Sequence, residues 1–508
     1  MRIRLALHLL TAALVAASCT AEPSGNAGGV PTDAGTAFAA DGTLTAGDAV
    51  ASADTAAKSD SGDGAPSETV TDGQIADVVP NPVDAVVNGA DQLEGDAPTA
   101  ADSGIDTATS ADTAIVVDAT GQPDAVPTSD GTGAVDAPAP QDIGPSPNPP
   151  VDQWGPYPVG TRVKNWIDAA RNNRPVTTRL WYPIVEKSGD KATYLDAIII
   201  KVAGKAIDKG SADKAKGPFP IVMFSHGFKG INWQSYDFTE YLASHGYVVA
   251  APDHFGNTLL DVSVTKEVES KSALERPLDL RFAYDELVKL NGAGGGDFEG
   301  LLDLGKVAVT GHSFGGYTAL VAGGGTVDVD FAKKGCETAS NMLCKGGYMN
   351  YWPNGTVIKL PQPIPGLKAS ICLAPGFHVA FGKQGLATVN VPTMVFGGSL
   401  DGTTPVDSDI TPIYNDLPVA KAKIVIAGAG HMSYTNVCSL PPAQFVPELK
   451  DMCFKTGMID GAKAFALTDA YAVAWLNRWL KGDLAMNALL TKELGNKFVA
   501  AQVSTQGF

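Results

Sequence analysis

In the stretch VAVTGHSFGGYTAL, residues 307–320, a serine stands between glycines: Gly311-His312-Ser313-Phe314-Gly315. A free serine hydroxyl is a poor nucleophile and needs a base to take its proton. A turn from a buried strand into a helix holds such a serine where a base and a reacting carbon can both reach it. That turn is so tight that the flanking residues must be small. Two later residues supply what Ser313 lacks. Asp401 follows the apolar run PTMVFGG and sits where a carboxylate can orient a histidine. His431 follows AKIVIAG and, of the seven histidines, is the one that comes after a late strand and after Asp401. As general base it would take the Ser313 proton and return it to a leaving alcohol. The chemistry is attack on an acyl carbon through a covalent intermediate.

The tetrahedral intermediate of such an attack needs donors for its oxyanion. One is the backbone N–H of Phe314, next to the nucleophile. The other is expected from the loop after FPIVMF, where Ser225-His226-Gly227-Phe228 offers the N–H of Phe228. His226 reads as a brace for that loop rather than a base. Asp253-His254 reads as a loop-fixing pair. His254, Phe255 and Phe377 are the candidate pocket residues.

These residues need elements to position them. Apolar runs at 178–184, 219–227, 247–253, 306–310, 369–375, 392–398 and 422–428 predict strands. Helical spacing predicts helices over 237–246, from about 314, over 464–483, and over 277–290 with Pro277 at its start. Strand and helix alternate, which predicts an α/β fold: a mostly parallel, doubly wound sheet with helices on both faces. Ligands bind beyond the carboxyl ends of such strands, and Ser313, Asp401 and His431 each follow one. Their order along the chain is that of an α/β-hydrolase.

The chain of 508 residues is not uniform. MRIRLALHLLTAALVAASC has a basic start, a short apolar run and small residues before Cys19. Residues 1–18 therefore read as a signal peptide rather than a membrane span. Cys19 resembles the lipidated cysteine of a bacterial lipoprotein. An ordinary secretion signal is the alternative. Residues 19–150 read as a disordered linker rich in Ala, Asp, Gly and Pro. From residue 20 to 150 there are 19 Asp and 3 Glu against the single base Lys58, with no Trp or Tyr. Asp106, Asp112, Asp118, Asp124, Asp130, Asp136 and Asp142 recur every six residues. A calcium-binding β-solenoid would need large apolar residues at fixed places in each repeat, and these are missing. A flexible coil of about 130 residues spans on the order of 60 Å. The net charge of −18 belongs to this linker; residues 151–508 are close to neutral, and nothing points to nucleic acid.

Five cysteines lie in 151–508. Cys372 sits in the apolar run ASICLA and reads as a buried strand thiol. In an oxidising compartment Cys336–Cys344 and Cys438–Cys453 are the expected pairs, by their short spacings. A metal site is the weaker alternative, because no CxxC pair exists.

GPFPIVMFSHGF, LASHGYVVAAPDHFGNT, RPLDLRFAYDEL and GHSFGGYTAL resemble the bacterial relatives of platelet-activating-factor acetylhydrolase and dienelactone hydrolase. LKASICLAPGFH, VPTMVFGGSLDGTTPV and GAGHMSYTN are similar to bacterial cutinases and polyester hydrolases. Together the resemblance covers about 155–485. It implies an α/β-hydrolase fold over 151–508, an ester substrate and no cofactor. Small acyl or lipid esters lead as substrates, with cutin-type polyesters second. An inactive surface-binding protein that keeps the fold is the reading from another class. The sequence also departs from these families. Dienelactone hydrolases use a cysteine where Ser313 stands. Polyester hydrolases usually carry a tryptophan where Gly376 follows Pro375. Residues 325–366 form an insertion with Tyr348, Tyr351 and Trp352, either a lid over the pocket or a surface elaboration.

Overall fold

The computed structural model describes residues 146–196, 200–339 and 341–508. The signal segment, Cys19 and the linker up to residue 145 lie outside the described residues.

FPIVMFS alternates nothing polar with its apolar residues, so it suits a strand buried on both faces. It forms β5 (Phe219–Ser225), in which every residue is buried. Beside it run β6 (Val248–Pro252) and β7 (Leu302–His312). With β8 (Leu367–Leu373), β9 (Thr393–Gly398) and β10 (Lys421–Ile426) they make six parallel strands. Further strands extend both sides: β1 (Val159–Asp168), β2 (Arg174–Pro183), β3 (Lys191–Asp196) and β4 (Lys201–Asp208) on one, paired antiparallel except for β1 with β4, and the antiparallel β11 (Ala501–Gln506) on the other. The order is β11-β10-β9-β8-β7-β5-β6-β2-β1-β4-β3.

Side chains alternate across the sheet with the period of two that strands impose. Ile221 and Met223 of β5 face one core, Val222 and Phe224 the other. The first core takes α2 (Lys266–Asn291) and α3 (Phe314–Ala322) through Leu280, Leu287, Tyr317 and Leu320. The second takes α1 (Tyr236–Ser244) and α5 (Gly461–Leu480) through Phe238, Leu476 and Trp475. The sheet is thus doubly wound and mostly parallel, as the alternation of runs predicts.

The helix expected over 277–290 begins eleven residues earlier, at Lys266, and Pro277 lies inside it. Thr265 caps its start by accepting from the N–H of Val268. Proline has no N–H for the carbonyl four residues back, which normally breaks a helix. Here the carbonyl of Ala273 accepts instead from the hydroxyl of Tyr317 on α3, at 3.4 Å. A tertiary contact takes over the missing backbone bond, and the helix continues.

The insertion is packed down rather than projecting. Val327–Asp328 pairs with Val357–Ile358, and α4 (Val329–Gly335) lies between them in sequence. Trp352 is buried and donates from Nε1 to the carbonyl of Ser270 on α2, at 3.0 Å. The Ser270 hydroxyl donates to the carbonyl of Tyr348. Of the three aromatics, Tyr351 alone is exposed.

The Pro277 arrangement predicts coupled effects. Pro277→Ala restores the backbone donor and is expected to stabilise the protein against urea. Tyr317→Phe is expected to cost about 1 kcal/mol, because Ala273 loses its partner. In the Pro277→Ala background that cost should shrink, and a double-mutant cycle measures the difference.

Candidate active site

β7 ends at His312, and the chain turns at Ser313 with φ 56° and ψ −115°, then enters α3 at Phe314. A left-handed φ at a non-glycine residue is strained and persists only where surroundings enforce it. They do. A Cβ on Gly315 would lie 1.9 Å from the Ser225 carbonyl oxygen, and one on Gly311 would lie 2.4 Å from that of Gly315. The Ser313 N–H is tied to the Leu373 carbonyl at 2.8 Å.

His431 opens the loop after β10. Its Nε2 lies 2.9 Å from Ser313 Oγ and its Nδ1 lies 2.9 Å from Asp401 Oδ2. The carboxylate of Asp401 also accepts from the N–H groups of Thr403 and Thr404, at 2.8 and 2.9 Å, and from the Thr404 hydroxyl at 2.8 Å. Burial pushes its pKa up, but His431 and these donors outweigh that and hold it below the usual carboxylate value. An ionised acceptor at Nδ1 leaves Nε2 free to accept the serine proton.

The two N–H groups assigned to the oxyanion, of Phe228 and Phe314, have no protein acceptor among the described residues. The Phe228 loop is held by a line of side-chain bonds. Gly227 N–H donates to Gln234 Oε1 at 3.0 Å, and Gln234 Nε2 to His312 Nδ1 at 3.1 Å. His312 Nε2 then donates to the His431 carbonyl at 2.9 Å. Because the Gln234 oxygen is taken by Gly227, its NH₂ must face His312, and His312 carries its proton on Nε2. Burial holds the His312 pKa down at about 3, helped by the neighbouring His431.

Arg276 of α2 supports the same region from beneath. Fully buried, it donates to the His226 carbonyl, to Ser225 Oγ at 3.1 Å, to Asn257 Oδ1 at 2.8 Å and to Thr318 Oγ1 at 3.2 Å. Its guanidinium lies 4.5 Å from the centre of the Phe314 ring. Arg276 opens the stretch RPLDLRFAYDEL that carries part of the resemblance, but nothing in the sequence gives it or Gln234 a role.

Other candidates fall in different places. His226 is buried, donates from Nδ1 to the Gly227 carbonyl at 2.8 Å and accepts the His254 N–H at 3.2 Å. It braces its loop, and burial keeps its pKa well below the usual histidine value. His254 is not in a pocket. It is wholly buried, with Nε2 2.9 Å from Ser225 Oγ and Nδ1 3.0 Å from Asp279 Oδ2. Burial and Arg276 hold its pKa at about 3. Phe255 is 45% exposed on the surface, beside the Arg174 guanidinium, because the loop turns it away from the sheet. Phe377 packs its ring edge-on to Phe314 and lines a small cavity with it. Cys336–Cys344 and Cys438–Cys453 are bonded, and Cys372 is a buried thiol whose pKa burial pushes up to about 12.

Comparison with known proteins fits this geometry. The chlorophyllase family model matches residues 211–334, which include the Phe228 loop and Ser313 but neither Asp401 nor His431. Cutinase 2 of Thermobifida cellulosilytica is 26% identical over 267 residues, 52% of this chain and 70% of that protein. Cutinase cut1 of Thermobifida fusca is also 26% identical, over 52% of this chain and 57% of its own length. Chlorophyllase type 0 of Chenopodium album is 25% identical over 279 residues. A solved ferulic acid esterase from Streptomyces cinnamoneus matches with a TM-score of 0.47 at 21% identity, over 69% of this chain and 97% of that one. The fold is that of an α/β-hydrolase, and the chain resembles the ester hydrolases of that fold. Within that class its resemblance is to the cutinases.

Two outcomes test the positioning. Gly315→Ala is expected to remove hydrolysis or soluble folding, since a backbone carbonyl occupies the Cβ position, whereas Gly402→Ala, which meets nothing within 4 Å, should leave kcat/KM within twofold of wild type. His312 has a depressed folded pKa, so its contribution to stability is present above pH 6.5 and is lost as pH falls toward 3. The stability deficit of His312→Gln, measured by urea unfolding, should therefore narrow by about 2 kcal/mol between pH 7 and pH 5.

Proposed function

We propose that this chain is an exported serine carboxylic-ester hydrolase that acts through an acyl-enzyme on small or lipid esters. The observation that carries the reading is the Ser313–His431–Asp401 chain, at 2.9 and 2.9 Å, on a strained turn flanked by two N–H groups without protein acceptors. His431 takes the Ser313 proton as Oγ attacks the ester carbon. Asp401 steadies the imidazolium, and Phe228 and Phe314 donate to the oxyanion. The proton then passes to the departing alkoxide, and the alcohol leaves. Water repeats the cycle on the acyl-enzyme with the same base.

In this reading residues 1–18 are a signal peptide, Cys19 carries a lipid anchor, 19–150 are a spacer and 151–508 are the catalytic domain. The two disulfides are consistent with an oxidising compartment. Hydrolysis of cutin-type polyesters is the second reading, favoured by the cutinase relatives. Gly376 weighs against an aromatic polyester, since it offers no ring to stack on a terephthalate-like unit.

The test is covalent labelling with a fluorophosphonate. Wild-type protein should label, and Ser313→Ala should not. Asp401→Asn should lower kcat about 10⁴-fold by favouring the wrong histidine tautomer. Folded wild-type protein that takes no label and cleaves no ester would instead be an inactive binding protein.

A further inference from the structure

Resting on that reading of Ser313, we infer that the site takes esters with an aliphatic acyl chain of about six carbons, and that a disulfide-stapled flap forms one wall of the groove that holds the chain. Two cavities meet Phe228, whose N–H is the proposed oxyanion donor. The first, lined by Phe314, Tyr348, Trp352 and Phe377, has a volume of about 20 Å³. That is room for roughly one water molecule, so the packed insertion closes this direction to a chain. The second has a volume of about 140 Å³. An apolar cavity of about 150 Å³ holds a benzene molecule, which sets the six-carbon scale.

The second cavity has two walls. One comes from the loop after β5 and the loop after β6, through Ile231, Trp233 and Leu259. The other comes from the segment after the candidate base, through Met432, Leu440 and Ala443. Met432, next to His431, and Phe228, which carries the proposed oxyanion N–H, both line this groove; Ser313 and His431 themselves do not. Among its described lining residues the polar side-chain groups are those of Lys229 and Gln234 and the indole N–H of Trp233, and the first two are engaged. Lys229 is paired with Glu269 and also donates to the Asp261 carbonyl at 3.0 Å. Gln234 bridges Gly227 and His312. Apart from the single Trp233 indole N–H no lining side chain is left to bind a sugar, a charged head group or a polar acyl chain, whereas an alkyl chain needs no partner. Each buried methylene is expected to raise affinity about fourfold.

The flap wall is short of regular structure. Its start is pinned by Asn436, whose N–H donates to the Gln234 carbonyl at 2.8 Å and whose side-chain oxygen accepts from the Asp237 N–H at 3.1 Å. Beyond that come two 3-10 turns, Asn436–Ser439 and Pro441–Gln444, and a helical segment, Pro447–Cys453. Cys438–Cys453 closes this stretch into a loop, with Leu440 and Ala443 inside the closure. The disulfide thereby sets the position of one groove wall without touching Ser313.

The experiment is kcat/KM for nitrophenyl acetate, butyrate, hexanoate and decanoate, using the full chain. The readout is the hexanoate-to-acetate ratio, which does not depend on the folded fraction. For wild type the ratio should exceed tenfold, carried by KM, and decanoate should gain nothing over hexanoate. Leu440→Trp and Ile231→Trp, which fill the groove from opposite walls at partly exposed positions, should each lower the ratio at least fivefold. Cys438→Ser with Cys453→Ser should lower it as well. A wild-type ratio near one, or a ratio unmoved in both tryptophan variants, overturns the groove assignment while leaving Ser313 as nucleophile. No hydrolysis of any ester and no fluorophosphonate label overturns the reading beneath it.

Discussion

The arrangement depends on one close approach of backbone to backbone. The end of β5 and the turn after β7 run so near each other that the Ser225 carbonyl oxygen occupies the space where residue 315 would carry a Cβ. β5 and β7 are neighbours in register, with Ser225 opposite Gly311. The loop leaving β5 therefore starts beside the nucleophile. That approach underlies the proposal that two N–H groups from distant parts of the chain, at 228 and 314, serve one oxyanion. A methyl group at 315 would separate them.

So tight a crossing concentrates polar backbone in the interior, and buried polar groups must be satisfied. Arg276 does much of this by donating around the β5 end, although its charge has no carboxylate in direct contact and burial lowers its pKa. Asp279, one turn along the same helix, opposes that lowering. The Gln234–His312 line joins three loops that the strands alone leave independent: those carrying Gly227, Ser313 and His431. The proposed oxyanion donors and general base are thus fixed relative to each other by neutral hydrogen bonds, which would add no charge beside a developing oxyanion.

The central sheet was legible because its strands are buried on both faces and read as unbroken apolar runs. Ser313, Asp401 and His431 were legible because each directly follows such a run. The peripheral strands were not. β3, β4 and β11 carry Lys, Asp, Gln and Ser on their solvent sides, and the second half of β1 sets Arg162, Lys164 and Asn165 among apolar residues of which Val163 and Ile167 are exposed. The start of α2 was hidden by Pro277, which by local rules ends or opens a helix and here is accommodated by a tyrosine 40 residues away. His254 was misplaced for a related reason. A histidine after a strand end is expected at the rim, and only the tertiary structure shows Asp279 and Arg276 packed over it.

That histidine belongs to a second group with nearly the dimensions of the first. Ser225, His254 and Asp279 stand in the same order of contact, 2.9 and 3.0 Å apart, yet all three are fully buried. Serine, imidazole and carboxylate at these distances are then a way of satisfying polar atoms in a protein interior, as ordinary as an ion pair. What separates Ser313 from Ser225 is a left-handed backbone and two unclaimed amides. A distance template laid over this chain would return both groups with equal standing; the backbone at the serine and the amides beside it tell them apart.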